Sequence, residues 1–247
     1  QYQRDRIELR LSGEVRENDY KDLVLAPGSL LDANRDYRDF TRTDFVARAA
    51  YAISPDIAVF TEASLIERDH DIAVSPDGFN LDSETTQVLV GVDFQLPQLV
   101  RGDFAVGYLN DKRSDPQFED QDAFSLDANL DWLPTSLTTV RVGASRFTTN
   151  PGLATVPTSL NTEARVRIDH ELKRNVLLFG RMSYGQEEFE EPTQAIDFDY
   201  KTRIAAIGAT YKMNPHAHFD LALENRDRSS DRIVDEFDQN VISVGVR

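Results

Sequence analysis

Residues 124–147, "FSLDANLDWLPTSLTTVRVGASRF", carry two period-two runs around a proline. Phe124, Leu126, Ala128, Leu130 and Trp132 fall on one face of an extended chain, and Ser125, Asp127, Asn129 and Asp131 on the other, because successive side chains of a strand point to opposite sides. After "LPTS" the alternation resumes, with Val140, Val142 and Ala144 set against Arg141. The stretch therefore predicts two strands joined by a tight turn, each with one uncharged and one charged face. The fold turns on which of those faces meets water.

The same alternation runs through the chain, while helical spacing at i, i+3, i+4 and i+7 hardly occurs. It predicts twelve strands, at 5–17, 40–53, 57–68, 84–96, 102–112, 122–133, 137–148, 161–172, 176–188, 199–212, 217–228 and 237–247. Their connectors alternate in length. Short ones ("SPD", "LPQLVRG", "LPTS", "KRN", "NPHA") carry turn chemistry, and between them lie long ones such as "HDIAVSPDGFNLDS" and "TTNPGLATVPTSL". The repeating unit is a long hairpin. A propeller blade of similar repeat length needs four short strands, which fits less well.

Strands of about 10 to 14 residues, tilted by about 40°, cover a hydrocarbon band of roughly 25 Å, and short turns on one side with long loops on the other are the pattern of an outer-membrane barrel. The expected fold is an all-β, antiparallel up-and-down transmembrane β-barrel with at least twelve strands, short periplasmic turns and long extracellular loops. It would form one domain over 1–247, with both chain ends periplasmic.

Composition bounds the alternatives. The 247 residues are 40% hydrophobic and 28% charged, with a net charge of -16. A polar average is compatible with a barrel whose exterior alone is apolar. The acidic balance argues against a nucleic-acid partner. Absence of cysteine excludes disulfides and thiolate chemistry. No run approaches the roughly 18 apolar residues of a membrane helix, and "QYQRDRIELR" is not a signal peptide.

Parity assigns an uncharged set to lipid: Ile7, Leu9 and Leu11; Phe45, Ala47, Ala49 and Tyr51; Val88, Val90, Val92 and Phe94; Phe104, Val106 and Tyr108; Val140, Val142 and Ala144; Phe219, Leu221 and Leu223; Ile242, Val244 and Val246. The opposite parity holds Glu8, Arg10 and Glu14 and the candidates for lining a lumen: Asp44, Arg48, Glu62, Asp93, Asp103, Asp127, Asp131, Arg141, Arg165, Arg167, Asp169, Arg181, Asp220, Glu224 and Arg226. Such charges would set ion or sugar selectivity, or pair across strands inside a plugged barrel. Arg141, Arg165 and Arg167 form a basic patch in an otherwise acidic interior, placed to make a ladder with Asp127 and Asp169. Tyr51, Phe94, Trp132, Tyr184 and Tyr211 are expected near the short turns as a lipid-interface girdle. The parity of residues 203–211 is undecided. A soluble two-sheet sandwich would show the same alternation, its strand-end aromatics capping a dry core.

Segments such as "VFTEASLIERDHD", "RGDFAVGYL", "RVRIDHELKRNVLLFGRMSYGQEEFE" and "AAIGATYKMNPHAHFDLALENRDRSSD" resemble the second family of "putative beta-barrel porins" of Gram-negative outer membranes. The most distinctive are the turn "W-x-P-T-x-L-T-T-V" (Trp132 to Val140) and "D-H-E-L-x-R-N" (Asp169 to Asn175). The resemblance is clear from about Tyr37 onward. It implies residence in the bacterial cell outer membrane, with membrane lipid and lipopolysaccharide as surroundings, a link in some members to polysaccharide export, and hence possible periplasmic export proteins as partners. It implies no catalytic residue. The chain ends on Arg247 rather than on an aromatic, and family members tend to be longer at the N-terminus, so a fragment of a longer barrel is expected.

No other chemistry is strongly signalled. "RDHD" (68 to 71) is weighed as an external acid-base or metal cluster against a solvated loop, and His216 and His218 as a metal pair against a turn-exposed pair. The acidic runs 187–192, 118–122 and 235–238 have no EF-hand spacing. There is no G-x-S-x-G elbow and no phosphate-binding glycine loop. The expectation is a non-enzymatic barrel without cofactor or metal: a channel or export conduit, or alternatively a structural barrel that docks periplasmic or surface partners.

Overall fold

The computed structural model describes residues 2–21, 35–96, 99–153, 155–189, 198–214, 217–231 and 235–246. They form β1 (Tyr2–Arg4), β2 (Ile7–Asn18), β3 (Phe40–Ser54), β4 (Ile57–His70), β5 (Ser83–Leu96), β6 (Val100–Arg113), β7 (Gln121–Thr135), β8 (Thr138–Thr149), β9 (Ser159–Lys173), β10 (Val176–Phe189), β11 (Phe198–Asn214), β12 (Ala217–Ser230) and β13 (Phe237–Val246). One short 3-10 turn, Asp36–Arg38, precedes β3. All thirteen strands lie in one sheet in sequential order, and every described pairing is antiparallel. A single meander is neither a two-sheet sandwich nor a propeller.

The two faces differ as the alternation requires. Val90, Ile207, Ile242 and Val244 are 61–75% exposed, whereas Phe60, Leu89, Ala105, Leu109 and Ala206, of opposite parity, are at most 5% exposed. The apolar face therefore looks outward and the polar face is the enclosed, inner one. Exposure of so many large aliphatic side chains in one continuous belt is incompatible with water as the only surroundings. Register also settles β11: Tyr211 pairs with Val176 and Phe219, and Ile207 with Gly180 and Leu223, so Ala205, Ile207, Ala209 and Tyr211 face outward.

Two local details depart from the sequence reading. Residues 5 and 6 are a turn rather than the start of a strand, with Asp5 at φ 54°, a left-handed conformation that Asp tolerates better than most residues. It closes a short β1–β2 hairpin (Tyr2↔Leu9). "LPTS" is not the turn itself. The register shifts between Trp132 and Thr135, Thr135 pairs with Thr138, and the chain reverses at Ser136 and Leu137. Pro134, which lacks an N–H, falls at that irregularity. Among the described residues no pairing joins β13 to β1 or β2. Because each strand reverses the last, β1 and β13 run the same way and cannot pair antiparallel.

Candidate functional site

The inner face carries a ladder of side chains that bond across neighbouring strands. Arg48 of β3 donates to both carboxylate oxygens of Asp93 at 2.7 Å and to Glu62 at 3.3 Å. Asn129 donates to Asp127 at 2.9 Å and to Asp103 at 3.3 Å, and accepts from Arg165 at 3.2 Å. Asp169 receives Arg141 at 2.6 Å and Arg167 at 2.7 Å. Arg181 and Arg226 both reach Glu224. Asp44 pairs with Arg42 at 2.8 Å, and Asp220 accepts from Thr210 at 2.6 Å. The register puts all the candidate lining residues on this face, and the expected ladder forms at Asp169, reached by Arg141 and Arg167, but not at Asp127: Arg165 meets Asn129 rather than forming an ion pair with Asp127. Asp131 is shared between Arg101 at 2.8 Å and Arg141 at 3.8 Å.

One arrangement, which sequence reading missed, occurs twice. The Arg48 guanidinium lies 3.5 Å from the centroid of the Phe60 ring on β4, and the ring covers Gly91 on β5, where a Cβ would strike it. The Arg167 guanidinium lies 4.7 Å from the centroid of Phe179 on β10, and that ring covers Gly208 on β11 in the same way. In each case the aromatic packs over a strand glycine and supports a cation against its face. Both rings sit at polar parity, so the available signal was an aromatic on a charged face opposite a glycine one strand later.

The long-loop end is covered in part by a feature that alternation does not report. Pairing of β8 with β7 stops at Arg146↔Leu126, while β8 and β9 stay paired to Thr149↔Ser159. The freed tip folds inward, and its formerly outward side lies on the inner face of β4 to β7. Leu160 packs with Leu109 and Ala123. Arg68, 1% exposed, donates to the Thr85 hydroxyl at 2.9 Å and to the Thr148 carbonyl at 3.3 Å. Asp111 is fully buried, accepting from Thr85 at 2.5 Å and from Thr158. Arg113 donates to Thr158 at 3.3 Å and stands 3.7 Å from Asp111. These buried charges are paired and hydrogen-bonded, as burial demands.

His70 belongs to this cover. Its Nδ1 is 3.2 Å from Asp82 and its Nε2 3.0 Å from Asn150, so both ring nitrogens are used and the partner is Asp82 rather than the flanking Asp69 or Asp71. Among the described residues no group of three His, Asp or Glu is placed to hold a metal. His216 and residues 190–192 of the acidic run 187–192 lie outside the described residues. Tyr51, Trp132 and Tyr211 are 44–47% exposed on the outer face near short turns, and Phe94 pairs with Ile57 there. Tyr184 departs from that group. It sits well along β10, which starts at Val176, and donates to Gln186 at 3.0 Å.

Comparison with known proteins follows the same lines. No curated protein sequence matches. The siderophore receptor PirA from Pseudomonas aeruginosa superposes at TM-score 0.58 and 12% identity, over 100% of this chain and 43% of its own. The chain thus spans less than half of that receptor, and the likeness is one of fold. The CymD monoaromatic hydrocarbon channel (TM-score 0.37, 10% identity, 99% and 79% coverage) and LpxR from Salmonella typhimurium (0.35, 10%, 85% and 89%) align more loosely. The model of the family "Putative beta-barrel porin 2" matches residues 2–247. With one meandering sheet, an apolar outer belt and a charged inner face, the chain belongs to that family of outer-membrane β-barrel porins.

Proposed function

We propose that this chain forms the wall of an outer-membrane channel for hydrophilic solutes, narrowed at its outer mouth by the tip of the β8–β9 hairpin. The observation that carries this reading is that the inner-face charges below the tip stay open to solvent: Arg141, Arg167, Arg181 and Arg226 keep 41–52% of their side-chain surface exposed. A plugged interior would bury them. The short-turn end then faces the periplasm and the long-loop end the exterior. Among the described residues β1 and β13 each have one unpaired edge, which is compatible with a wall completed by further strands.

Export of a polysaccharide is the finer form of this reading. A lining rich in Asp, Asn and Arg offers the donors and acceptors that sugar hydroxyls need. Lipopolysaccharide contact is supported by Lys201 and Arg203, which share the outward parity of Ile207 beyond the apolar belt. Planar-bilayer recording of the intact protein tests the channel. Discrete conductance steps that solute sugars reduce support it. A silent, folded barrel that co-purifies with a stoichiometric periplasmic partner supports the docking alternative.

A further inference from the structure

Three arginines stand side by side in the sheet. Arg141 on β8 is in direct register with Arg167 on β9, and Arg167 with Arg181 on β10. Like charges directly opposite one another destabilise a sheet, so this row costs stability and calls for a compensating partner. Two residues further along, the next inner-face row contains Gly143, Arg165, Ser183, Ile204 and Arg226. The two rows border one hollow of about 570 Å³.

Protein carboxylates compensate the cluster only in part. Four of the five guanidinium groups, those of Arg141, Arg167, Arg181 and Arg226, share Asp131, Asp169 and Glu224. Arg165 has no ion pair among the described residues, and its hydrogen bond goes to the neutral Asn129. Its guanidinium leans over Gly143, where any Cβ would press on it, so the small residue clears the space it occupies. Nε of Arg226 is buried without a hydrogen-bond partner. The adjoining wall is acidic, with Glu62, Asp93, Asp103 and Asp127, which confines the excess positive charge to β8–β12.

We propose that this arginine hollow is a binding site for an oxyanion carried by the solute, a carboxylate or phosphate-like group held between Arg165 and the row Arg141, Arg167 and Arg181. Planar guanidinium forks match such groups in charge and geometry, and their half-exposed positions leave donors free to turn toward a ligand. The site deepens the channel reading by naming its solute as anionic, although binding itself does not require conduction.

The test is equilibrium binding by the intact, detergent-solubilised protein at low ionic strength, using inorganic sulfate, a trigalacturonate and neutral maltotriose as probes. Saturable binding of sulfate and trigalacturonate, with none of maltotriose, is expected. Arg165→Gln should weaken it at least ten-fold, and Arg10→Gln, on β2 beside Glu8, should leave it unchanged. Ser183→Asp, which places a carboxylate beside Arg165, should abolish it and serves if the arginine variant does not fold. Sulfate bound and trigalacturonate not would mark an inorganic oxyanion as the ligand. Absence of saturable binding by the wild-type protein, or equal binding by Ser183→Asp, overturns the proposal. Binding without conductance sinks the channel reading alone, and conductance without binding sinks only the anion site.

Discussion

Arg68 of β4 donates from Nη2 to the backbone carbonyl of Thr148, 80 residues later in the chain, at 3.3 Å. That contact ties the tip of the β8–β9 hairpin to the opposite part of the wall. Its strength rests on Asp111, whose carboxylate is the counter-charge for Arg113 and the acceptor for Thr85 and Thr158. Asp111→Leu leaves buried guanidinium groups uncompensated, a loss of roughly 3–5 kcal/mol. The expected outcome is a clear fall in the temperature at which the folded band converts on unboiled gels, together with larger single-channel conductance as the tip loosens. Unchanged stability and conductance would show that the tip is not held there.

Arg48 is a different case, because its side chain keeps 23% of its surface exposed. Removing a partly exposed pair and a ring contact costs only about 1 kcal/mol. Its larger effect is electrostatic, since Glu62 and Asp93 lose the cation between them. Arg48→Met is expected to fold normally and to shift the reversal potential in a potassium chloride gradient toward cation selectivity. A shift toward anions would contradict the placement of this triad on the conducting wall.

Much of this was legible from alternation alone. Period-two patterning identifies which side chains share a face, and Arg141, Arg167 and Asp169 fall together for that reason. Parity does not report where a strand leaves its neighbour. The uncharged outward run of β8 ends at Ala144, since Arg146 and Thr148 take the next outward positions and Phe147 an inner one, and the tip beyond Arg146 folds inward because Thr148 and Leu160 find partners on β4 to β7. Those partners lie far away in sequence, so alternation marks where the apolar belt ends but not where the tip goes. The same holds for Phe60 and Phe179, whose role depends on a glycine one strand on. Tyr184 has outward parity, but β10 starts at Val176, so the short turn lies well away from it and parity alone does not place it in the girdle.

The outer belt makes a paired prediction. Val90 is outward on β5 with Thr61 and Val106 in register beside it, near the middle of the apolar band. Val90→Arg puts a guanidinium into hydrocarbon, at roughly 2–4 kcal/mol near the bilayer midplane. Ser64→Arg, on the inner face beside Gln87, exposes the same group to water. Refolding into lipid vesicles, followed by urea titration, should show a marked loss for the first and little for the second. Equal losses would count against the assignment of the faces.

Trp132 offers the most direct check, since it is the chain's single tryptophan. It is 44% exposed on the outer face, two residues before the Pro134 irregularity, and pairs with Val100 and Val140. In water such an indole would emit as a hydrated one. In the proposed orientation, with the short turns periplasmic, its ring would lie among the acyl carbons nearest the headgroups, with the N–H directed to the wet side. Its emission should therefore be blue-shifted in lipid vesicles. Phospholipids brominated close to the headgroup should quench it strongly, those brominated near the chain terminus weakly, and aqueous iodide least of all. Moving the probe with Trp132→Phe and Val90→Trp should reverse the order of the two brominated lipids, because Val90 lies deeper in the belt. Iodide quenching that dominates at both positions would mean that this face meets water, and the transmembrane reading of the sheet would fall with it.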